Sequence, residues 1–382
     1  MSLLLALQVA SAIGALAAPR ARFDGARFDP IVEEGIRRGA YPGAVLVVGR
    51  HDSVLFAKGY GRFTWGASGR RPDPDSTVWD VASLTKVVAT TAALMHLVER
   101  GRVALDSPVV RYLPAWHARG AARVTVRQLL SHTSGMPAYL PLHRLAPGRD
   151  SALRIVYATG PRPGRTGVVY SDLNAILLGE LVGAVSRVPL DVYWRREIAV
   201  PLGLGRAAFR PPRAWVPWIV PTGVWRGVPV AGVVNDPNAH VLGDVAGHAG
   251  LFATARDVAR FAQLMLAEGA MADGRRLFRQ ETVRAFTRVA VPARGGASAR
   301  ALGWQALPTD EAVSSAGTRL GPRTFGHTGW TGTSLWIDPD RDLFVLLLTN
   351  RAYAPRSPRS FTVLKDVRGR AADAAAEASD GR

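Results

Sequence analysis

The spacing of hydrophobic residues changes several times along the chain, and each change predicts a different element. Apolar side chains recur at helical spacing from Phe28 to Ile36, and Gly39 then supplies a stop signal. The two runs that follow, 43–49 and 54–59, are rich in strand-forming residues and flank a turn-like His-Asp-Ser. They predict a β-hairpin directly after the first helix.

Helical patterns dominate the middle of the chain. The strongest covers 83–100 and stops at Gly101, and a second apolar helix is predicted over 172–185. Thr125 and Thr254 stand where N-cap residues are expected, the first before a short helix and the second before a helix that runs to residue 267.

The remaining segments predict loops and strands. The stretch 137–163 predicts a loop around one short helix, and 210–234, which is dense in Pro and Trp, predicts strands and turns. The end of the chain predicts strands near residue 325, over 333–337 and over 343–349, and then a helix over 360–376.

Strands at both ends and helices between them predict an α+β fold. We expect an antiparallel sheet built from both chain ends, about 26–80 and 290–376, flanked by helices. The part between, about 81–289, is expected to form a mainly helical subdomain. No repeat and no linker divides the chain, so 19–376 is predicted to be one domain.

The first eighteen residues have a different character. Positions 3–18 form an apolar run that ends in Ala-Leu-Ala-Ala-Pro, which is typical of a signal peptide cleaved after residue 18. The alternative is a first helix packed on the domain, since Met1 and Ser2 carry no positive charge. A misplaced start codon would explain the missing charge. No later segment is long enough to predict a transmembrane helix.

Composition narrows the classes of function. The chain has 382 residues, 48% of them hydrophobic and 20% charged, which is globular and not disordered. Its cysteine count of 0 excludes disulfides, thiolate metal sites and a cysteine nucleophile. The net charge is +18, but the arginines are scattered, often singly, with no run of five or six, whereas a specific nucleic-acid binder more often shows a basic stripe. Weak attraction to an anionic cell envelope is compatible with this charge.

The strongest chemical signal is Ser83-x-x-Lys86. The predicted helix starts at Ser83, so Lys86 lies one turn later on the same face, and the helix N-terminus directs N–H groups at whatever binds there. Such a lysine activates a serine nucleophile in known enzymes. The alternative is a serine N-cap beside a surface lysine.

Two more motifs follow in order. Tyr170-Ser171-Asp172 precedes an apolar helix, and a tyrosine near a lysine can act as a general base. His327-Thr328-Gly329 precedes a closing strand, where its glycine allows a ligand to approach the backbone. Alone, either motif is uninformative: the first equally suits a buried tyrosine in a turn.

Together, these motifs resemble those of the serine β-lactamase and penicillin-binding-protein superfamily, and within it the class C branch of D,D-peptidases, D-aminopeptidases and esterases. The stretches 129–137, 246–258 and 327–338 are also similar, so the resemblance runs from about residue 28 to 350. It implies a β-lactamase/transpeptidase-like fold.

The resemblance also implies roles for individual residues. Ser83 would be the acylated nucleophile, and Lys86 and Tyr170 would share the general-base work. Backbone N–H groups of Ser83 and Trp330 would form the oxyanion hole, and Asp172 would touch Lys86 and the substrate amide. Substrate would bind along the strand of His327, Thr328, Gly329 and Trp330.

Two positions differ from many members of the superfamily. Asp172 stands where many have Asn, and a carboxylate near Lys86 raises the pKa of that amine, which shifts the base role to Tyr170. His327 stands where many β-lactamases have Lys, and a mostly neutral imidazole binds a β-lactam carboxylate less firmly. We therefore expect esters or D-amino-acid amides to be better substrates than β-lactams.

The sequence thus predicts an exported serine hydrolase, periplasmic or extracellular, that needs no cofactor and no metal. Its substrate would be an amide or ester, such as a peptidoglycan-like D-amino-acid peptide, a small ester or a β-lactam. His132 and His248, which lie in glycine-rich loops without metal-site spacing, are expected to brace those loops. The alternative is a catalytically idle module that binds cell-wall peptides.

Overall fold

A computed structural model describes residues 23–164, 167–294, 298–309 and 314–381. The predicted signal peptide, 1–18, lies outside these ranges. Within them, no helix combines the length and apolar character needed to cross a membrane.

The strands follow the predicted α+β layout. They are β1 Gly43–Gly49, β2 Val54–Gly61, β3 Val78–Asp80, β4 Ala208–Phe209, β5 Gly223–Trp225, β6 Val228–Val230, β7 Leu251–Thr254, β8 Gln305–Ala306, β9 Phe325–Thr328, β10 Ser334–Asp338 and β11 Leu343–Thr349. In the described residues, six of them form one sheet of order β2-β1-β11-β10-β9-β8, and each pairing is antiparallel. The prediction of an antiparallel sheet from both chain ends is confirmed, since β1 pairs with β11 along its length.

The α-helices lie on both faces of this sheet and fill the middle of the chain. They are α1 Asp29–Arg37, α2 Ala92–Glu99, α3 Val126–Leu130, α4 Leu142–Leu145, α5 Arg149–Ala158, α6 Asp172–Ser186, α7 Leu190–Trp194, α8 Val200–Leu202, α9 Pro237–Val241, α10 Ala255–Leu266, α11 Gln280–Thr287 and α12 Ser360–Asp380. Thr125 and Thr254 cap α3 and α10 as predicted. The loop 137–163 differs from the prediction, because it holds two helices, α4 and α5, instead of one.

Alternating side chains of the sheet enter two separate cores. In β1, Val45 and Val47 pack into the large core shared with α10 and the helical subdomain. Ala44, Leu46 and Val48 face the opposite side, where α1 and α12 cover the sheet. The period-two alternation of a buried strand thus divides one apolar run between two layers.

The helix predicted over 83–100 is present, but its first half is irregular. A 3₁₀ turn spans Ala82–Leu84, a π-helical segment spans Lys86–Thr91, and regular α-helix begins at Ala92. The π-helical segment is buried throughout. Such wider turns are frequent at functional sites.

A small second sheet supports the start of this helix. Its strand order is β3-β7-β4. Although β3 lies within the range 26–80 predicted for the large sheet, it is therefore part of this second sheet. Val78 to Asp80 pairs with Thr254 to Phe252. Because β3 ends at Asp80, three residues before Ser83, the small sheet fixes where the helix begins.

Candidate active site

The turn before Ser83 has a strained backbone. Ala82 has a φ of 48°, in the left-handed region that a residue with a Cβ seldom adopts. Asp80 holds it there: its carboxylate accepts hydrogen bonds from Ala82 N at 2.9 Å and Asn235 N at 2.7 Å. Burial raises the pKa of Asp80 to about 6. Strain of this kind, about 1–3 kcal/mol, is a feature of functional sites.

Lys86 lies buried behind the serine and makes three contacts. Its Nζ is 2.8 Å from Ser83 Oγ, 2.8 Å from Asp172 Oδ1 and 3.1 Å from the carbonyl oxygen of His248. An ammonium group has three N–H donors, so these three acceptors match its charged form.

The pKa values of this pair move apart. Burial by itself would lower the pKa of Lys86, but the charges and hydrogen bonds of Asp172 and Tyr170 together outweigh it and raise that pKa above the ordinary lysine value. Burial would raise the pKa of Asp172, but the charges of Lys86 and His248 and the hydrogen bond from Lys86 together outweigh it and lower that pKa. Lys86 therefore carries its proton at neutral pH and cannot accept one from Ser83 in that state.

Tyr170 stands among cationic and imidazole groups. Its ring centroid is 4.8 Å from that of His132 and 5.8 Å from that of His327. Lys86 Nζ lies 5.0 Å from the same centroid, and the Arg300 guanidinium 5.4 Å. Tyr170 therefore lies between the buried amine of Lys86 and the second cation of the site, Arg300.

His327 is neutral and buried. Its Nδ1 donates to the carbonyl oxygen of Thr328 at 2.8 Å, which leaves Nε2 as an acceptor with no partner among the described residues. Burial, together with the charges of Lys86 and Arg300, lowers the pKa of His327 to about 3. This agrees with the neutral imidazole expected from the sequence.

The loop after β9 is tied to the turn before Ser83. Thr331 Oγ1 donates to Asp80 O at 2.8 Å, and Thr333 Oγ1 donates to Val81 O at 2.9 Å. A Cβ on Gly329 would lie 2.1 Å from Thr333 Oγ1 and 2.7 Å from Val81 O, so only glycine fits. The close approach of the nucleophile turn is therefore sufficient to require glycine at 329.

The predicted residues meet in one cleft of about 670 Å³. Ser83, Tyr170, Asp172 and the run from His327 to Trp330 all line it. The edge of β9 is covered by β8 only at Phe325 and Gly326, so the edge beyond them is open to the cleft. Trp330 is 64% exposed and stacks near Phe361, with the Arg351 guanidinium 4.7 Å from its centroid.

Several cleft residues were missed by the sequence analysis. Arg300 lines the cleft but follows no motif, and nothing in its local sequence signals a role. Asp236 also lines it, caps α9 and accepts from His248 Nε2 at 3.0 Å. An Asp directly before a Pro is a typical N-cap pattern, so this helix start could have been predicted from the sequence. Tyr139, on the loop 137–163, completes this side.

His132 and His248 make the bracing contacts expected of them. His132 Nδ1 accepts from Ser171 N at 3.1 Å and from Asn174 Nδ2 at 3.3 Å, which links the loop of His132 to the start of α6. Burial and the nearby charge of Arg300 keep the pKa of His132 well below its ordinary value. His248 joins Lys86 to Asp236 through its carbonyl and its ring.

Asp172→Asn tests the charge state of Lys86. Without the carboxylate, the effect of burial on the amine is less opposed. The pKa of Lys86 therefore falls. The amine then loses its proton at lower pH, so the basic limb of the kcat/KM profile moves to lower pH. We expect the ratio of activity at pH 9 to that at pH 6 to fall about tenfold, the effect of one pKa unit.

The matched control is Asp236→Asn, which removes a cleft carboxylate that pairs with His248 and not with Lys86. It should shift the basic limb less than Asp172→Asn does. A basic limb that stays in place in Asp172→Asn would show that Asp172 does not control the charge of Lys86.

Comparison with known proteins gives consistent matches. The model of the family described as beta-lactamase matches residues 28–367. A Bacillus subtilis protein named "N-acetylmuramyl-L-alanine amidase" is 31% identical over 365 residues, which are 86% of this chain and 81% of that protein. An Escherichia coli protein named "Putative D-alanyl-D-alanine carboxypeptidase" is 29% identical over 82% of this chain and 80% of its own.

Solved structures share the fold at lower identity. EstCE1, described as a hydrolase with promiscuous acyltransferase activity, superposes with a TM-score of 0.69 at 21% identity. The alignment covers 90% of this chain and 97% of that one. A class C beta lactamase from Rhodobacter sphaeroides gives a TM-score of 0.69 at 22% identity, over 89% and 98% of the two chains.

Proposed function

Since the chain belongs to the beta-lactamase family, whose superfamily members are serine hydrolases, we propose that it hydrolyses an amide or ester through an acyl-enzyme on Ser83. One observation carries the proposal: Lys86 Nζ contacts Ser83 Oγ at 2.8 Å at the base of a cleft that Tyr170 also lines. A serine N-cap with a surface lysine would show neither this contact nor a buried amine.

The chemistry follows from the charges at the site. Lys86 stays protonated and donates to Ser83 Oγ, so the hydroxyl proton must leave towards another acceptor. Tyr170 as phenolate takes that proton while Oγ attacks the substrate carbonyl, and the C–O bond of the acyl-enzyme forms. Tyr170 then returns the proton to the leaving amine or alcohol, and a water molecule later hydrolyses the ester by the same route.

The developing negative charge needs donors on the other side of the carbonyl. The N–H groups of Ser83 and Trp330 supply them in this proposal, one at the start of a helix and the other in the loop after β9. Asp172 is assigned to the Lys86 ion pair and to the substrate amide. The open edge of β9 at His327 and Thr328 aligns an extended substrate through backbone hydrogen bonds.

Arg300 offers the cationic charge that His327 lacks. His327 is neutral over the physiological range, because its pKa is about 3, whereas Arg300 remains charged and lines the same cleft. We assign to Arg300 the recognition of a substrate carboxylate, such as that of a peptide ending in a D-amino acid. This assignment agrees with the names of relatives that act on cell-wall peptides.

Substrate preference tests the proposal. Compared with a site that has a lysine at 327, the neutral His327 leaves Arg300 as the cation assigned to a β-lactam carboxylate, and the negative charge of Asp172 opposes that carboxylate. We expect kcat/KM to be at least about tenfold higher for short-chain esters or D-amino-acid amides than for penicillins or cephalosporins, a gap of roughly 1.4 kcal/mol. Steady-state kinetics on both sets measures this, and cephalosporin turnover that equals ester turnover would contradict it.

The variant Arg300→Ala tests whether Arg300 recognises the substrate carboxylate, as distinct from taking part in acyl transfer. It should lower kcat/KM about tenfold or more for penicillins and for peptides with a free C-terminal carboxylate, the scale of a lost charge-assisted hydrogen bond. A p-nitrophenyl ester without a carboxylate is the internal control: because Arg300 also lies beside Tyr170, some loss of ester turnover is expected, and the loss for substrates with a carboxylate should exceed it about tenfold.

We also propose that the protein is exported. The apolar run at 3–18 and its small-residue junction support this, together with relatives named as cell-wall peptidases. Peptide mapping of the protein from its native cell should find a mature start near Ala18 or Pro19. An intact Met1 or Ser2 terminus on the functional protein would contradict cleavage.

A further inference from the structure

One apolar surface lies outside the catalytic cleft. We call it the hairpin surface: Val216, Val224, Trp225, Val228 and Val233, which are between 40% and 67% exposed. Residues 224–229 are all exposed. A Cβ on Gly232, which precedes Val233 in the chain, would lie 3.1 Å from Val216 Cγ2, so the backbone next to Val233 passes close to Val216. A soluble chain seldom clusters large apolar side chains in water without a binding role.

The hairpin is rigid and apolar on both faces. Arg226 and Gly227 have φ values of 48° and 80°, as in the two-residue turns that join tight hairpins. Trp225 pairs with Val228 on one face, and Val224 pairs with Pro229 on the other. Neither face of this tip packs on the domain. A tip that is apolar on both faces is suited to insertion into a layer that surrounds it, more than to contact with a flat surface.

The hairpin tip carries one charged residue, Arg226, and no acidic residue. Residues 210–234 also contain Arg213 and no Asp or Glu, and their third arginine, Arg210, is paired with Asp191. Arg70 and Arg206 add their guanidinium groups above the ring of Trp218, at 4.1 Å and 5.5 Å. Exposed tryptophan and valine beside arginine is the combination that binds the interface of an anionic membrane.

We propose that the hairpin surface docks the protein on an anionic lipid surface. Trp225 and the valines enter the headgroup region, and the arginines meet the lipid phosphates. A second copy of the chain is a poorer occupant, because two surfaces of a protein with net charge +18 repel each other. Asn235, which lines the catalytic cleft, also holds the hairpin base through Thr222 O at 2.8 Å, so docking keeps the cleft near the membrane.

Sedimentation with lipid vesicles tests this docking. The full chain should bind vesicles of 30% phosphatidylglycerol in phosphatidylcholine at least about tenfold more tightly than pure phosphatidylcholine, and 0.5 M salt should weaken the binding. Trp225→Ser with Val228→Ser removes the apolar tip without changing any charge and should weaken binding about tenfold or more. Val200→Ser is the matched control, because Val200 is as exposed as Val228, at 63%, and lies elsewhere.

Each outcome decides the proposal. Undiminished vesicle binding by the double variant would assign the binding to net charge or to the N-terminal segment and overturn docking by the hairpin. Absence of vesicle binding would overturn it as well. A parent protein that is dimeric by light scattering, and a double variant that is monomeric, would assign the surface to a second copy.

A separate observation concerns the loop that carries the proposed oxyanion donor. Arg368 on α12 is 2% exposed, and its Nη2 donates to Gly329 O at 3.2 Å and to Thr333 O at 2.7 Å. The carbonyl of Gly329 and the N–H of Trp330 belong to one planar peptide, and in a trans peptide they point in opposite directions. A guanidinium that holds the carbonyl therefore sets the direction of the N–H.

We infer that Arg368 is a positioning residue for the oxyanion hole. It acts from the outer face of the sheet, where its neighbour Val367 is part of the core beneath α12. Its charge also polarises the peptide, which makes the N–H of Trp330 a stronger donor. This inference rests on the proposed function, since it requires that Trp330 N–H binds the oxyanion.

Arg368→Met should lower kcat for a p-nitrophenyl ester by about 10- to 100-fold with KM within about twofold, because loss of a whole oxyanion donor costs about 10²–10³ in kcat. Arg368→Lys, which keeps one donor, should recover part of kcat. Arg370→Met on the same helix is the control, because Arg370 pairs with Glu34 and not with the loop that carries Trp330. An unchanged kcat in Arg368→Met overturns the role of Arg368, as does a loss that only tracks a lower Tm. Absence of Ser83-dependent turnover in the parent would instead overturn the proposed function.

Discussion

Replacing Ser83 with Ala is expected to abolish covalent labelling by a fluorescent penicillin or a fluorophosphonate. The same change should lower ester hydrolysis by on the order of 10³-fold or more, because binding and the oxyanion hole alone retain only a small part of catalysis. The lost atom is the Oγ that Lys86 contacts at 2.8 Å. The Lys86–Asp172 ion pair stays intact in this variant, so the fold should be preserved.

Intact-mass analysis after exposure to β-lactams, p-nitrophenyl esters and D-amino-acid amides would show the acyl adduct directly. Ser298→Ala is the matched control, because Ser298 lines the same cleft but belongs to none of the three motifs. It should keep the adduct. Labelling that persists in Ser83→Ala would place the nucleophile elsewhere, and an adduct that forms without turnover would favour a module that binds cell-wall peptides.

Tyr170→Phe is expected to lower the rate of acylation by about 10²–10⁴-fold, the usual contribution of a general base. Lys86 cannot replace the lost base, since its three N–H groups already have acceptors and Asp172 holds it charged. Phenylalanine keeps the ring that lies between His132 and His327, so the packing changes little. The measurement is single-turnover acylation followed by leaving-group release.

Tyr139→Phe is the control for Tyr170→Phe. Tyr139 lines the same cleft with its phenol but stands outside the group around Lys86. Its replacement should leave the acylation rate within about threefold, the ordinary range for a cleft residue without a chemical role. Acylation at the parent rate in Tyr170→Phe would mean that Lys86 deprotonates Ser83 after a conformational change that releases Asp172.

Local sequence was sufficient for features that depend on neighbours in the chain. Ser83 and Lys86 are one helical turn apart, so their contact follows from any helix that starts there. Thr125 and Thr254 cap helices because an N-cap needs only the next three residues. The strands of the large sheet follow from the same kind of local pattern.

Features that depend on distant partners could not be predicted. Arg300 forms isolated β-bridges with Val291 and Gln305, and its guanidinium lies beside the ring of Tyr170, which is 130 residues earlier (300 − 170). The reason for glycine at 329 is the oxygen of Val81, which no local pattern reveals. The π-helical start of the helix after Ser83 likewise arises from packing on all sides and not from residue preference.

The pairing of β1 with β11 has a consequence for when the protein can fold. Gly43–Gly49 pairs with β2 on one side, but its partner on the other side is Leu343–Thr349, so the central strand pair cannot close until nearly the whole chain is available. Contacts of such long sequence separation form slowly. If the protein is exported, as proposed above, this delay keeps the chain open for its passage through the membrane, because the central strand pair cannot form while the C-terminal strand is still on the ribosome.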